Sequence, residues 1–329
     1  MTPFPASIPG LHARWRISRL PVLREVAGHP SSVPGRRGLQ VCLGLVWLLD
    51  AGLQFQPYMF GPFFVTQGIE LSAVGSPGVV ASSVNWAGHV MLQHIAVYNA
   101  MFATIQLLIA CGMFFPRTLK PALAASIAWS LFVWWFGESL GGIFTGLSPL
   151  AGFPGAVVLY ALIAVLLWPT ERPPERHLAS PALSGPLGAT WANLLWVTLW
   201  ASFSYFLLLP GNRAPDAIGQ IFLTTDGQPG WIVAVMNDLS SFADQRGTEI
   251  SVVLAAACVL VAVSVTKSAI KPALVLAVLL GLFFWIAEGI GGIFTGEGTD
   301  PNTGPLLILL AACYWPRDSG SDGRVSCAG

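Results

Sequence analysis

The chain has 329 residues, of which 54% are hydrophobic and 10% charged, and its mean hydropathy is +0.67. Soluble domains carry about a quarter charged residues, so this composition excludes an ordinary soluble protein and predicts an integral protein of the lipid bilayer. The formal net charge is +0 and no basic stripe occurs, which argues against nucleic acid as a partner.

Residues 1–38 form a predicted cytoplasmic basic tail. The segment up to Arg37 contains six arginines, one acid and no continuous apolar core, so it is not a secretory signal peptide. The same Arg-rich, acid-poor pattern also fits an organellar transit peptide, and the sequence leaves that alternative open.

Eight apolar runs follow, and they predict an all-α bundle of eight transmembrane spans, because most approach the ~20 residues that a spanning helix needs. The runs are 39–56, 92–115, 121–139, 153–168, 191–209, 250–266, 272–290 and 304–315. Fourteen of the sixteen Lys and Arg residues fall on one side of these spans, and only Arg213 and Arg246 fall on the other. The positive-inside rule therefore predicts cytoplasmic termini and outward-facing loops 57–91 and 210–249.

One sequence motif occurs twice, at the end of the third predicted span and at the end of the seventh. WFGESLGGIFTG, which begins at Trp135, returns as WIAEGIGGIFTG, which begins at Trp285. With Glu138 aligned to Glu288, the windows around the two motifs share eight of sixteen residues. Four spans in each unit bring both units into the bilayer in the same direction, which predicts parallel repeats about an axis along the membrane normal.

The predicted domain organisation follows from these repeats. The two four-helix transmembrane repeats are 39–169 and 191–316. A cytoplasmic linker, 170–190, joins them and is rich in Pro, Ser and charge. Residues 317–329 form a cytoplasmic C-terminal tail.

The repeated glutamates are the main candidate binding residues. At the helical rise, Glu138 lies about 27 Å from Lys120, close to the outer edge of a hydrocarbon core ~30 Å thick. Glu288 lies at an equivalent depth. Ionisable residues within spans are costly and often functional, so we expect both carboxylates to bind at an outward-facing polar site. The alternative is that each glutamate snorkels to the interface.

The motif glycines have two interpretations. Gly137 and Gly141, like Ala287 and Gly291, have the spacing of close helix contacts, and we favour this packing role. The alternative is that GGIFTG is irregular backbone below the outer surface, which is tolerated where it is buried or lines a wet cavity. The packing or turn residues in question are Gly141, Gly142, Gly146, Gly291, Gly292 and Gly296.

Further polar residues occur within the first repeat. Asp50 and Gln54 are four residues apart in the first span and therefore share a helix face. The aligned positions of the second repeat are Trp200 and Ser204. We therefore expect an asymmetric binding site near the first repeat.

Two histidines are secondary candidates. His89 and His94 are five residues apart at the start of the second span. On one continuous helix they would point about 140° apart, so a single metal would not take both. We expect interfacial polar histidines and no metal site.

No catalytic residue is predicted. The five cysteines form no CxxC pair, which argues against a thiol centre or a disulfide framework. HExxH, P-loop and dinucleotide-binding motifs are absent from the sequence. A stand-alone enzyme is therefore not favoured.

The opening of the first span, LQVCLGLVWLLDAGLQFQ, followed by three more spans, resembles the start of DoxX/DoxD-like four-helix membrane proteins, here as a tandem duplication. The resemblance implies a small membrane subunit linked to quinone-dependent or thiol and sulfur oxidation. It also implies a quinone cofactor and a redox partner protein. The lack of paired cysteines argues against thiol chemistry.

Three functional hypotheses remain at this stage. In the first, Glu138, Glu288 and Asp50 line an outward cavity between the repeats, which handles an ion or a small solute. In the second, the bundle is the membrane subunit of a redox complex and holds a quinone. In the third, the protein is purely structural. The predicted location is a bacterial plasma membrane.

The topology can be tested by labelling single reporter cysteines in a cysteine-free variant with a membrane-impermeant maleimide. Reporters in 57–91 and 210–249 should react from outside the cell, and reporters in 170–190 only after the membrane is opened. A cytoplasmic 210–249 would contradict the parallel arrangement.

Overall fold

The computed structural model describes residues 35–170, 183–223, 227–265 and 270–316. Most of the predicted N-terminal tail, most of the linker 170–190 and all of the C-terminal tail lie outside these ranges. Below, residues 35–170 are called the first half and residues 183–316 the second half.

Every regular element in the described ranges is helical, as predicted. The first half contains α1 (Arg36–Leu53), α2 (Gly78–Gln93), α3 (Ile95–Phe114), α4 (Leu119–Phe136) and α5 (Ala156–Leu166), with a π-helical segment, Phe64–Ile69, before α2. The second half contains α6 (Gly188–Leu207), α7 (Ala217–Phe222), α8 (Gly230–Ala243), α9 (Gly247–Ser264), α10 (Ile270–Ala287) and α11 (Thr303–Tyr314).

Four helices, α3, α4, α9 and α10, are long and apolar enough to cross a membrane. Fewer than half of the residues in each are buried within the protein, and each has apolar side chains exposed on its surface. Exposed apolar area of this kind is typical of a surface that contacts lipid. Each of the eight predicted apolar runs matches one of these helices or α1, α5, α6 or α11 to within three residues at either end.

The segment 57–93, predicted mainly as an outward loop, contains a helix. Its buried residues Val80, Val84, Gly88 and Met91 recur at helical spacing and form one face of α2. The chain then breaks at His94, whose φ is −146° and ψ 52°, and α3 begins at Ile95. The expectation that His89 and His94 share one continuous helix was therefore wrong.

The short helices α5 and α11 form the centre of the molecule. They have 11 and 12 residues, about 17 and 18 Å at the helical rise, and most of their side chains are buried while none is exposed. They contact each other, α4 packs on α5, and α10 packs on α11. Around them, α1 packs on α3, and α6 packs on α9.

Each motif is followed by a segment that contacts the opposite half. The turn Pro149–Ala151 lies against α6 and α10, and the Phe153 ring stacks on Phe206 with centroids 3.9 Å apart. In the other direction, Gln56 Nε2 donates to the carbonyl of Gly298 at 3.4 Å. The two halves are therefore joined by reciprocal insertion of loops as well as by the contact of α5 with α11.

Replacement of Phe153 by alanine tests this insertion. The side chain is 3% exposed, so we expect its truncation to lower the free energy of unfolding by about 3–5 kcal/mol. Phe144→Ala is the matched control, because that ring is 54% exposed and should matter little. Unfolding in detergent micelles measures both variants. Equal effects of the two would contradict the insertion.

Candidate functional site

The repeated motif forms an unusual left-handed turn in both halves. Residues 139–142 have φ values of 49°, 61°, 62° and 73°, and residues 289–292 have values of 60°, 57°, 68° and 62°. Such runs are rare for L-residues, and a β-branched residue such as Ile290 is strained there. A Cβ on Gly141 would lie 1.7 Å from the carbonyl oxygen of Pro154, so only glycine fits.

These turns correct the favoured interpretation of the glycines. Helix α4 ends at Phe136, so Gly137 and Gly141 do not share a helical face that could pack on another helix. Ala287 is the last residue of α10 and Gly291 lies in the turn beyond it, so these two do not share a helical face either. The glycines are turn residues that let the chain reverse sharply.

The first motif glutamate caps a central helix. One carboxylate oxygen of Glu138, Oε1, accepts hydrogen bonds from the backbone N–H groups of Ala156 at 3.0 Å and Val157 at 3.3 Å. These are the first residues of α5, whose N–H groups have no partner within the helix. A carboxylate at this position also interacts favourably with the positive end of the helix dipole.

The second motif glutamate does the same for α11. Glu288 accepts from the backbone N–H of Thr303 at 3.1 Å and from the Thr303 hydroxyl. The N-terminus of each central helix is therefore capped by one of the two repeated glutamates. This contact explains why an acid follows α4 and again follows α10, and it is a structural role that both halves share.

A cavity of about 410 Å³ lies between α1, α2, α3 and α4 of the first half, and Thr299 and Asp300 of the second half also line it. Eight aromatic side chains line it, among them Trp47, Trp86 and Trp129. The charged and amide-bearing side chains that line it, with one threonine, are Asp50, Gln54, Gln106, Glu138, Thr299 and Asp300. The structure thus brings three of the four predicted binding residues together and leaves out Glu288.

Several polar atoms of this cavity are unpaired. Asp50 Oδ1, Gln54 Oε1 and Gln106 Oε1 are buried and find no hydrogen-bond partner in the described part of the chain. Glu138 Oε2, the oxygen that does not cap α5, is also buried and has no hydrogen-bond partner among the described residues. A buried acceptor without a donor lowers the stability of a protein. A ligand that donates hydrogen bonds to these oxygens would therefore be favoured in this cavity.

The second half contributes an acid that the sequence analysis missed. Asp300 lines the cavity from the segment after the second motif, and its charge acts on Asp50, Glu138 and Glu288. Burial raises the pKa of Asp300 above its ordinary value, and hydrogen bonds from Thr299 and Asn302 offset part of this effect. The signal that could have identified Asp300 is the acid that stands four residues after GGIFTG, in the sequence EGTD.

The histidines do not belong to this site. His89 lies on α2 and His94 at its end, both are exposed, and neither lines the cavity. Within the described ranges, no three His, Cys, Asp or Glu side chains are grouped as a metal ion would require.

The positions aligned with these two acids are apolar. Asp50 aligns with Trp200. Asp300-Pro301 aligns with Phe153-Pro154, because α5 begins at Ala156 and α11 at Thr303. Trp200 and Phe153 are both buried in the main hydrophobic core. Where one contact between the halves has two acids, the equivalent contact has two aromatic side chains.

Comparison with known proteins does not extend these observations. No family model matches the chain, and searches of curated proteins and of solved structures find no similar chain. The resemblance to DoxX/DoxD-like proteins stays a prediction.

The capping role predicts a difference between two substitutions of the same residue. Glu138→Gln keeps an oxygen that can accept from Ala156, whereas Glu138→Ala leaves the N-terminus of α5 without a cap. We expect the alanine variant to be less stable than the glutamine variant by about 1–3 kcal/mol, and the same order for Glu288. Comparing alanine with glutamine separates the cap from the charge.

The matched control is Glu297→Ala, because that exposed glutamate has no cap role assigned by the structure. Chemical unfolding in micelles gives the free energies. Equal stability of the alanine and glutamine variants at both positions would contradict the capping role.

Proposed function

We propose that this chain is an integral membrane protein that binds a cationic small solute at an outward-facing acidic site between its two halves. The proposal includes eight spans, two parallel four-helix repeats and cytoplasmic termini. In that arrangement α5 and α11 are too short to cross ~30 Å of hydrocarbon alone. The loops that precede them then lie at membrane depth, where irregular backbone is tolerated because protein buries it.

One observation carries the proposal: Asp50, Glu138 and Asp300 line a single cavity, and Asp50 Oδ1 and Glu138 Oε2 lack a hydrogen-bond partner among the residues described. No Lys or Arg side chain of the described ranges lines the cavity. A bound cation would supply the charge that this group of carboxylates needs.

The equivalent contact between the halves provides an internal comparison. The same chain folds with buried Trp200 and Phe153 at the positions aligned with Asp50 and Asp300. An acid pair at this contact is therefore not required for packing. Buried ionisable groups that packing does not require are candidates for function.

A quinone site, as the DoxX-like resemblance implies, is the alternative for the same cavity. The aromatic wall suits a quinone ring, but quinone carbonyls are acceptors and need donors. Trp129 Nε1 and the amide nitrogens of Gln54 and Gln106 can donate to a quinone, but the unpaired carboxylate oxygens Asp50 Oδ1 and Glu138 Oε2 can only accept when ionised. The cavity chemistry favours a ligand that donates.

Cation binding should appear as stabilisation of the purified protein. We expect at least one chloride salt, from a panel of inorganic and organic cations at equal ionic strength, to raise the melting temperature. Ligand at 100 times its Kd adds about 2.7 kcal/mol to the stability of the folded state. The shift should be larger at pH 8 than at pH 5, because protonated carboxyl groups do not attract a cation.

Asp50→Asn should remove this response, and Glu138→Gln should weaken it. Asp238→Asn is the matched control, because Asp238 is an exposed acid on α8, away from the cavity. Glu288→Gln should also respond like the wild type, since Glu288 does not line the cavity. The proposal fails if no cation stabilises the wild type, or if Asp50→Asn responds as strongly as Asp238→Asn.

A further inference from the structure

The cavity has more room and more apolar wall than a simple ion requires. Its volume of about 410 Å³ lies within the range of small-molecule sites, about 300–1,000 Å³. Eight aromatic side chains line it, among them Trp47, Phe102 and Trp129. A bare metal ion would leave most of this wall without a partner.

The polar atoms of the cavity define the head group of a ligand. Asp50 is 2%, Gln54 5% and Gln106 7% exposed, and each presents an oxygen that has no donor within the described ranges. An amide oxygen is an acceptor in every protonation state. The matching group is a donor with several N–H bonds and a positive charge, and aromatic rings nearby favour a cation further.

The Tyr160 hydroxyl is a protein donor beside this group. It interacts electrostatically with Asp50, but the described structure gives neither the hydroxyl nor Asp50 Oδ1 a hydrogen bond of ordinary geometry. Even a rotated Tyr160 would serve one carboxylate oxygen and leave the amide oxygens of Gln54 and Gln106 unpaired. A ligand with a single donor would likewise be insufficient.

The surface around the cavity indicates how a ligand enters. Trp86 on α2, Met101 on α3 and Phe132 on α4 line the cavity and are 64%, 45% and 45% exposed. These side chains reach from the cavity to the outside of the protein. Since α3 and α4 are long and apolar enough to cross a membrane, the opening between them is apolar and faces the bilayer.

We propose that the cavity binds an amphiphilic primary ammonium, a cation with an apolar body, which enters from the membrane between α2, α3 and α4. The ammonium group lies against Asp50, Gln54 and Asp300, and the apolar body lies along the aromatic wall. This inference rests on the proposed cation site and names the class of cation that it takes.

Binding of three probes of equal chain length tests the head group. The wild-type protein in phosphatidylcholine nanodiscs is titrated with octylammonium, 1-octanol and octyltrimethylammonium, with empty nanodiscs as the background. Octylammonium should bind about tenfold or more tighter than 1-octanol, which has one donor and no charge. Octyltrimethylammonium, which has the charge but no N–H, should also bind more weakly than octylammonium.

A second series tests the apolar body. Ethylammonium, butylammonium and octylammonium should differ by roughly fourfold per methylene that fits the cavity. Asp50→Asn should lose the preference for octylammonium over 1-octanol, whereas Asp238→Asn should keep it. A cooperative unfolding transition without ligand shows that either variant is folded.

The outcomes separate this inference from the proposed function. If sodium, potassium or ethylammonium binds as tightly as octylammonium and depends on Asp50, the inference is wrong and the cation site stands. If 1-octanol binds as tightly as octylammonium, the cavity is an apolar site and the inference is wrong. If no cation binds in an Asp50-dependent way, both are wrong.

Discussion

The hydrogen bonds that each motif glutamate accepts from the first turn of the next helix support the centre of this molecule. Most residues of α5 and α11 are buried and none is exposed, and a buried helix N-terminus has N–H groups that water cannot reach. Glu138 and Glu288 accept from those groups. To bring the carboxylate back to the following helix, the chain must reverse within a few residues, which the left-handed turn with its paired glycines achieves. The glutamate and the glycines thus form one structural motif, which occurs once in each half.

The same structural motif determines where the binding cavity lies. Because the turns leave about a dozen residues before each central helix, both segments are long enough to reach the opposite half. The first segment inserts Phe153 against Phe206, and the second brings Asp300 to the cavity that Asp50 lines. A symmetric exchange of loops thereby produces two chemically different contacts. One is filled by hydrophobic side chains, and the other retains space, acids and unpaired acceptors.

Much of the fold was predictable from the sequence, because apolar runs of helical length mark helices wherever the surroundings are apolar. Each predicted run matches a helix, and Asp50 and Gln54 line one cavity with Glu138. The capping role was not predictable, because spacing along the chain does not show that Glu138 folds back to Ala156. The small-residue spacing Gly137-xxx-Gly141 indicated a helix contact, but a run of positive φ values replaced the helix there.

Asp300 was missed for a related reason. An estimate of membrane depth from the sequence treats each predicted repeat as a separate bundle. Asp300, however, lines a cavity that is formed mainly by the opposite half of the molecule. Helix α2 was missed because its apolar face is short and its outer side carries polar residues, a pattern that resembles a loop in hydropathy. Both features depend on contacts between segments that lie far apart in the chain.

The central claim is that Asp50 from the first half and Asp300 from the second face one cavity. A double-mutant cycle of Asp50→Asn and Asp300→Asn, measured as free energies of unfolding at pH 8 without added ligand, tests it most directly. Two facing carboxylates repel, so either substitution relieves the other charge. The double variant should then gain less stability than the sum of the single gains, by more than about 0.5 kcal/mol. Additive effects would show that the two acids act independently and would contradict a shared site.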